Sequence, residues 1–174
     1  MFGAANSLPR TANIVEIGCF LGRSTASFAL ACKGSNRRVF SIDTFGGLYP
    51  DVIGDKDLED LFKSGFFERW RQNMVHADVS EYVVPLKGTS LEIAKLWSAP
   101  IHLLYIDGSH LFQDVLDDFQ GFFPHVVPHG VVALHDVVPD WPGPYKAWHE
   151  VVRHQLVDTG SCSTLFFGKK PDRG

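Results

Sequence analysis

The chain's residue pattern predicts an α/β domain: a mostly parallel sheet with helices on both faces. Three observations carry this expectation. Short apolar runs alternate with helical stretches along all 174 residues, the signature of βαβ units. The first apolar run, Val15-Glu16-Ile17, passes through a turn with two glycines, Gly18 and Gly22, straight into a helix start at Ser24-Thr25. Several later runs also end in an acid, at Asp43, Asp107 and Asp136.

Residues 13–18 read as a short buried strand, and Ser24 to Cys32 as an Ala-rich helix stopped by Gly34. Arg38 to Asp43 is a second strand and Tyr82 to Lys87 a third, followed by Gly88-Thr89-Ser90 and a helix to Trp97. Ile101 to Asp107 is a fourth, strongly apolar strand. Leu111 to Phe123 is a helix with Leu111, Phe112, Val115, Leu116, Phe119 and Phe122 on one face. Gly130 to Asp136 is a fifth strand. Pro144 to Gln155 is a helix with proline in its first turn, a favoured position, and Thr164 to Phe167 is a final strand. Continuous apolar strands of this kind are covered on both faces, and their crossovers are right-handed.

Two segments break the alternation. Residues 46–78 are longer than a plain connection and read as an inserted helical segment. Its helix is expected over Asp57 to Met74, with Leu58, Leu61, Phe62, Phe66, Trp70 and Met74 on one side and Gly65 as a kink or break. Pro139 to Pro144 is a stiff loop. About a dozen residues precede the first strand, so any helical cap there is expected to be absent or very short. With no repeat and no linker, residues 1–174 read as one domain, large enough to bury a core.

Composition excludes several classes. The formal charge is −4 and no basic tract stands out, which argues against nucleic acid as a partner. Cys19, Cys32 and Cys162 are odd in number and widely spaced, fitting reduced thiols in a cytoplasmic protein better than disulfides or a zinc site. There is no signal-peptide pattern and no apolar stretch long enough to span a bilayer, so no membrane partner is expected.

Ligands of open parallel sheets bind beyond the carboxyl ends of the strands. Acids are costly to bury unpaired, so Glu16, Asp43, Asp107 and Asp136 at one edge suggest ligand hydroxyls, an amine or a metal ion. Singly, each is as well read as a helix cap. The Gly-x-x-x-Gly spacing of Gly18 and Gly22 is wider than the dinucleotide fingerprint. Asp43 lies 21 residues past Gly22, close to the offset of a ribose-binding acid. Together they point to a nucleoside-containing cofactor whose charged end meets the helix start.

Five segments in order carry a family resemblance: Glu16-Ile-Gly-Cys-Phe-Leu-Gly-Arg-Ser-Thr, Ser41-Ile-Asp-Thr-Phe, Gly88-Thr-Ser-Leu-Glu, Ile106-Asp-Gly-Ser-His and Leu134-His-Asp-Val. Over about residues 13–168 the chain resembles class I S-adenosylmethionine-dependent methyltransferases. Within them it is most similar to the methyltransferase-24 branch, related to catechol-type and macrolide-sugar O-methyltransferases. The resemblance implies a Rossmann-like three-layer sandwich around a seven-stranded sheet, mostly parallel, with an antiparallel last strand supplied by Thr164–Phe167.

It also implies site roles. Glu16, Gly18, Cys19, Phe20, Gly22 and Ser24 would hold the methionine end of S-adenosylmethionine, and Asp43 the ribose. Thr44 and Phe45 would lie beside the adenosine, and Gly88, Thr89 and Ser90 near the adenine. Asp107 would meet the methionine amine and, with Asp136, a divalent cation such as Mg²⁺. His110 would be the base, with His135 a further catalytic candidate. An imidazole titrates in the range a general base needs.

The chain departs from catechol-type enzymes twice. Val137 stands where they carry Asn, and His110 where they carry Lys. The metal set is therefore incomplete, completed by His135 or Asp140, or absent. His110 and His135 have structural alternatives, as a helix-start surface residue and a packed strand end. Trp141, Tyr145 and Trp148 read as an acceptor-pocket wall or as core, and Asp114, Asp117 and Asp118 as a solvated helix face, with a structural Asp118 as the alternative. The expected acceptor is a small hydroxylated molecule, and a homo-oligomer is compatible with the chain. Two rival readings remain: a nicotinamide oxidoreductase, disfavoured by the glycine spacing and the lack of a Tyr-x-x-x-Lys pair, and a non-catalytic cofactor-binding protein.

Overall fold

Parallel pairing around β1 (Asn13–Ile17) sets the architecture. In the computed structural model, which describes residues 2–46, 60 and 65–172, β1 pairs in parallel with β2 (Arg38–Asp43) on one side and β4 (Ile101–Ile106) on the other. β3 (Val83–Lys87) extends the sheet beyond β2, and β5 (Val126–Leu134) beyond β4. β7 (Leu165–Lys169) runs antiparallel to β5, and β6 (Val157–Cys162) antiparallel to β7. The order is β3-β2-β1-β4-β5-β7-β6: seven strands, only β7 reversed, as the resemblance implies.

Side-chain alternation divides the core in two. Val15, Ile17, Leu104 and Ile106 face one layer, with α4 (Ser90–Ala94), α5 (Phe112–Phe122) and α6 (Pro142–Lys146) on that side. Ile14, Val39, Leu103 and Tyr105 face the other, covered by α1 (Phe2–Asn6), α2 (Arg23–Cys32) and α3 (Phe66–His76). The α5 stripe behaves as its periodicity requires, burying Val115, Leu116, Phe119 and Phe122. Only its first member departs, with Leu111 62% exposed.

Several boundaries differ from expectation, each for a local reason. β6 is absent from the sequence reading because Val157-Asp158-Thr159-Gly160-Ser161-Cys162 lies mostly exposed at the sheet edge and carries no apolar alternation. β5 starts at Val126 rather than Gly130, through a register shift opposite Ile101 and Leu103. The helix after β3 stops at Ala94, short of Trp97. The helix expected from Pro144 begins at Pro142 and continues as a π-helical turn, Ala147–Val151, and a 3-10 turn, Val152–Gln155. α3 begins directly after Gly65. Of the expected helix before it, Asp60 is helical, while Leu58, Leu61 and Phe62 lie outside the described residues.

Candidate functional site

Backbone ladder bonds continue past the strand ends and bring the acid-bearing turns together. Gly18 N donates to Ile42 O at 2.9 Å, Asp107 N to Ile17 O at 2.9 Å, His135 N to Ile106 O at 3.0 Å and Gly88 N to Asp43 O at 3.0 Å. The four turns therefore stand at one edge of the sheet, as the sequence suggests.

Asp43 fastens the first two turns. Its Oδ2 accepts from the backbone N–H groups of Cys19 at 3.1 Å and Phe20 at 3.2 Å, and its Oδ1 from that of Phe45 at 2.8 Å. Phe20 (φ 44°) and Phe45 (φ 49°) both occupy the left-handed region, an uncommon and costly conformation for a bulky residue. The carboxylate thus holds two strained turns in place. It also lines a cleft over the strand ends.

Several expected cofactor contacts turn inward instead. Glu16 is fully buried on the α2 side of the sheet. Its Oε2 accepts from Thr25 Oγ1 at 2.5 Å and Ser41 Oγ at 2.9 Å. Cys19 is buried against Asp43. Gly22 packs under α3: a Cβ there would come within 2.4 Å of Met74 Cε and 3.0 Å of the Trp70 ring. These residues shape the turn from behind. Glycine and small polar types at these positions look the same in sequence whether they serve a ligand or a packed helix.

Burial pushes the Glu16 carboxyl up to about 7, against the hydrogen bonds from Ser24, Thr25 and Ser41. A carboxyl whose pKa rises on folding binds its proton more tightly when folded. Stability is then undiminished below the unfolded value near 4.5 and falls as pH rises towards 7. Glu16→Gln is expected to flatten that fall by up to roughly 3 kcal/mol, read from denaturation midpoints at pH 5 and pH 8.

A cleft of about 570 Å³ opens over the strand ends. Gly18, Asp43 and Thr44 form one wall, and Gly88, Thr89 and Ser90 the floor beside α4. Thr89 also caps α4: its N–H donates to Glu92 Oε2 at 3.0 Å while its hydroxyl accepts from Glu92 N at 3.3 Å. Ser109, His110 and Trp141 line the same cleft. Asp114, Asp117 and Asp118 all line this cleft; Asp114 is exposed and Asp117 half-buried, as a solvated face requires, and Asp118 alone is buried. Asp118 is 5% exposed, and burial pushes its carboxyl up to about 7. The aromatic trio divides: Trp148 is core, Trp141 is cleft wall, and Tyr145 lies against His149.

Asp107, His110, His135 and Asp136 form a linked cluster. His110 Nε2 lies 3.3 Å from Asp136 Oδ2, and its ring centre 4.1 Å from that of Trp141. His135 Nδ1 lies 3.2 Å from Asp107 Oδ1 and 3.1 Å from Asp136 Oδ1. That nitrogen is buried, yet neither oxygen meets the angles of a hydrogen bond, so the contacts are charge contacts. The Asp107 carboxylate, more than Asp136, pushes the imidazole up to about 9 despite partial burial. Asp136 (φ 54°) also sits in the left-handed region, a conformation Asp tolerates best among non-glycine residues.

Asp107, His135 and Asp136 can hold a cation, since one donor atom from each lies within 4.8 Å of the others. An orphaned buried nitrogen facing two carboxylates fits such an ion. Val137 is buried core, and Asp140 lies on the cleft wall outside the set. Sequence reading missed two supporting residues. Tyr105 donates from its hydroxyl to Asp107 Oδ2 at 3.0 Å, and Thr164 Oγ1 lies 3.4 Å from His135 Nε2. The i, i+2 relation of Tyr105 to Asp107 was the available signal for the first; Thr164 joins from a distant loop.

Gly143 sets the position of His110. A Cβ there would stand 1.9 Å from His110 O and 2.8 Å from Phe112 N. Gly143→Ala is expected to displace the His110 segment and cost about 100-fold in turnover. S-adenosylhomocysteine affinity should hold, and parallel rate and calorimetric measurements check the two.

Residues 15–137 match the family model described as a methyltransferase domain. An uncharacterized protein of Sinorhizobium fredii, y4gI, is 29% identical over 95% of this chain, which spans only 18% of that relative's length. Cofactor-bound Rv0187 from MTB superposes with a TM-score of 0.74 at 15% identity, over 98% of this chain and 78% of that one. The O-methyltransferase TomG from Streptomyces achromogenes, solved with SAM, gives 0.68 at 19% identity, over 97% and 77%. An O-methyltransferase from Bacillus cereus, solved with SAH, gives 0.64 at 17% identity, over 92% and 75%. At these identities the likeness to solved structures is one of fold.

Proposed function

The chain belongs to the methyltransferase-domain family, and from that premise we propose that it transfers the methyl group of S-adenosylmethionine to a hydroxyl oxygen of a small acceptor. The observation that carries this reading is the continuity of one cleft. It runs from the Gly18–Asp43–Gly88 walls, suited to a nucleoside, to His110 and Trp141.

The acceptor hydroxyl attacks the sulfonium methyl in line, so an O–C bond forms as the S–C bond breaks and its electrons return to sulfur. With Nε2–H of His110 directed at Asp136 Oδ2, the hydroxyl proton passes to Nδ1 of the same ring. Asp136 then steadies the imidazolium. Trp141 holds the ring from one side. Alignment of the two reacting atoms by the cleft supplies much of the remaining acceleration. Asp107, His135 and Asp136 would hold a divalent cation, which lowers the pKa of a hydroxyl bound to it.

Among the described residues no helix is long and apolar enough to cross a membrane. A small-molecule acceptor, without nucleic acid or membrane, remains our reading, with action in the cytoplasm. The test is transfer of an isotopically labelled methyl group from S-adenosylmethionine to a panel of phenols and sugars. Labelled ether product supports the proposal. Binding of the cofactor without labelling of any acceptor favours a non-catalytic role.

A further inference from the structure

We infer that Asp107, His135 and Asp136 select a first-row transition-metal dication over Mg²⁺, because His135 places an imidazole nitrogen among the three donors. The inference rests on the proposal that a divalent cation works beside the acceptor hydroxyl, and it specifies which class of ion that is.

His135 Nδ1 is spaced from each carboxylate as neighbouring ligands of one ion are, and the three donors lie within 4.8 Å of one another. His135 Nδ1 stands 3.2 Å and 3.1 Å from the two carboxylate oxygens. Adjacent ligands of an ion with bonds of about 2.1 Å are separated by roughly 3.0–3.4 Å. The remaining atom of each ligand already has a partner. Asp107 Oδ2 accepts from the Tyr105 hydroxyl at 3.0 Å, and Asp136 Oδ2 faces His110 Nε2 at 3.3 Å. His135 Nε2 lies 3.4 Å from Thr164 Oγ1. A ligating histidine whose other nitrogen is held by a neighbour, and carboxylates held by their second oxygen, are how metal sites are oriented.

With the ring proton on Nε2, Nδ1 turns a lone pair towards two carboxylates. Atoms at that separation call for a positive centre among them, either a proton on Nδ1 or an ion. Neither carboxylate oxygen is aligned to take a proton from Nδ1, whereas an ion between the three meets all of them. Two carboxylates balance a dication, and the imidazole decides its class. Mg²⁺ takes hard oxygen ligands and keeps its waters; imidazole suits Mn²⁺-to-Zn²⁺ chemistry far better. The left-handed turn at Asp136 (φ 54°) is the backbone feature that brings consecutive residues, His135 and Asp136, onto the same ion.

The experiment titrates the full chain, loaded with S-adenosylhomocysteine, with Co²⁺ and with Mg²⁺ by calorimetry, and records the visible absorption of the Co²⁺ form. Most N/O sites prefer Co²⁺ to some degree, so the decisive quantity is the change in the Co²⁺/Mg²⁺ affinity ratio on substitution. His135→Asp, which restores an all-oxygen set, is expected to lower that ratio at least about tenfold and to shift the cobalt bands. His135→Gln, of similar size to the native side chain, should lower Co²⁺ affinity in the same direction if His135→Asp fails to fold. An unchanged ratio and spectrum in these variants overturns the inference while leaving a metal site in place. Binding of neither ion, by protein that still binds S-adenosylhomocysteine, overturns it too and leaves methyl transfer standing. Protein that binds no S-adenosylhomocysteine marks failure of the proposed function instead.

Discussion

His110→Ala lowers methyl transfer by about 10²–10⁴-fold while leaving S-adenosylhomocysteine affinity within about twofold. The range is that of a positioned general base. The split between rate and binding follows from the assigned roles: the His110 ring packs against Trp141 and Asp136, whereas Asp43 fastens the glycine turn that would hold the cofactor. Asp136→Asn should act in the same direction, through loss of the charge facing Nε2 and of one carboxylate of the cation set. Comparable loss of cofactor affinity in His110→Ala would show that the imidazole is part of the cofactor cradle, and the assignment of the base would fall.

Gly18→Ala is the second large effect, and it strikes fold and site together. Gly18 has φ +79°, and a Cβ built on it would stand 2.3 Å from Asp107 O and 2.6 Å from Gly108 Cα. The left-handed conformation alone costs an L-residue about 1–2 kcal/mol. Backbone in the neighbouring turn cannot swing aside as a side chain can. A destabilisation of about 3–5 kcal/mol is expected, read from the denaturant midpoint, together with loss of S-adenosylhomocysteine binding. Gly22→Ala is its informative partner, because the atom in its way is the flexible Met74 Cε at 2.4 Å. It should lose stability with less effect on the Asp107 turn.

Much of the scaffold could be read from the residues because its causes are local. Apolar runs such as Ile101–Ile106, buried on both faces, and the α5 stripe announce themselves by periodicity. The acids at strand ends follow once the strands are parallel. What stayed hidden depends on partners distant in sequence. β6 pairs with β7 at the exposed sheet edge, so its side chains carry no apolar alternation. Whether Glu16 faces a ligand or Thr25 and Ser41 is decided by the position of α2 and β2. The cleft-facing role of Asp118 is set by the packing of α5, although its neighbours Asp114 and Asp117 make it look like part of a charged surface. His135 could be singled out as a candidate, but its two carboxylate neighbours and Thr164 come together only in the folded sheet edge.

The central claim is that the cleft over β1, β2 and β4 is built for the nucleoside and amino-acid ends of a methyl donor. Calorimetric titration with S-adenosylhomocysteine, run beside NAD, tests it most directly. One S-adenosylhomocysteine per chain and no comparable NAD binding are expected, with affinity reduced at least about tenfold in Asp43→Ala, the loss of a hydrogen-bonding charged group. Tight NAD binding, or no S-adenosylhomocysteine binding by the folded chain, would contradict it.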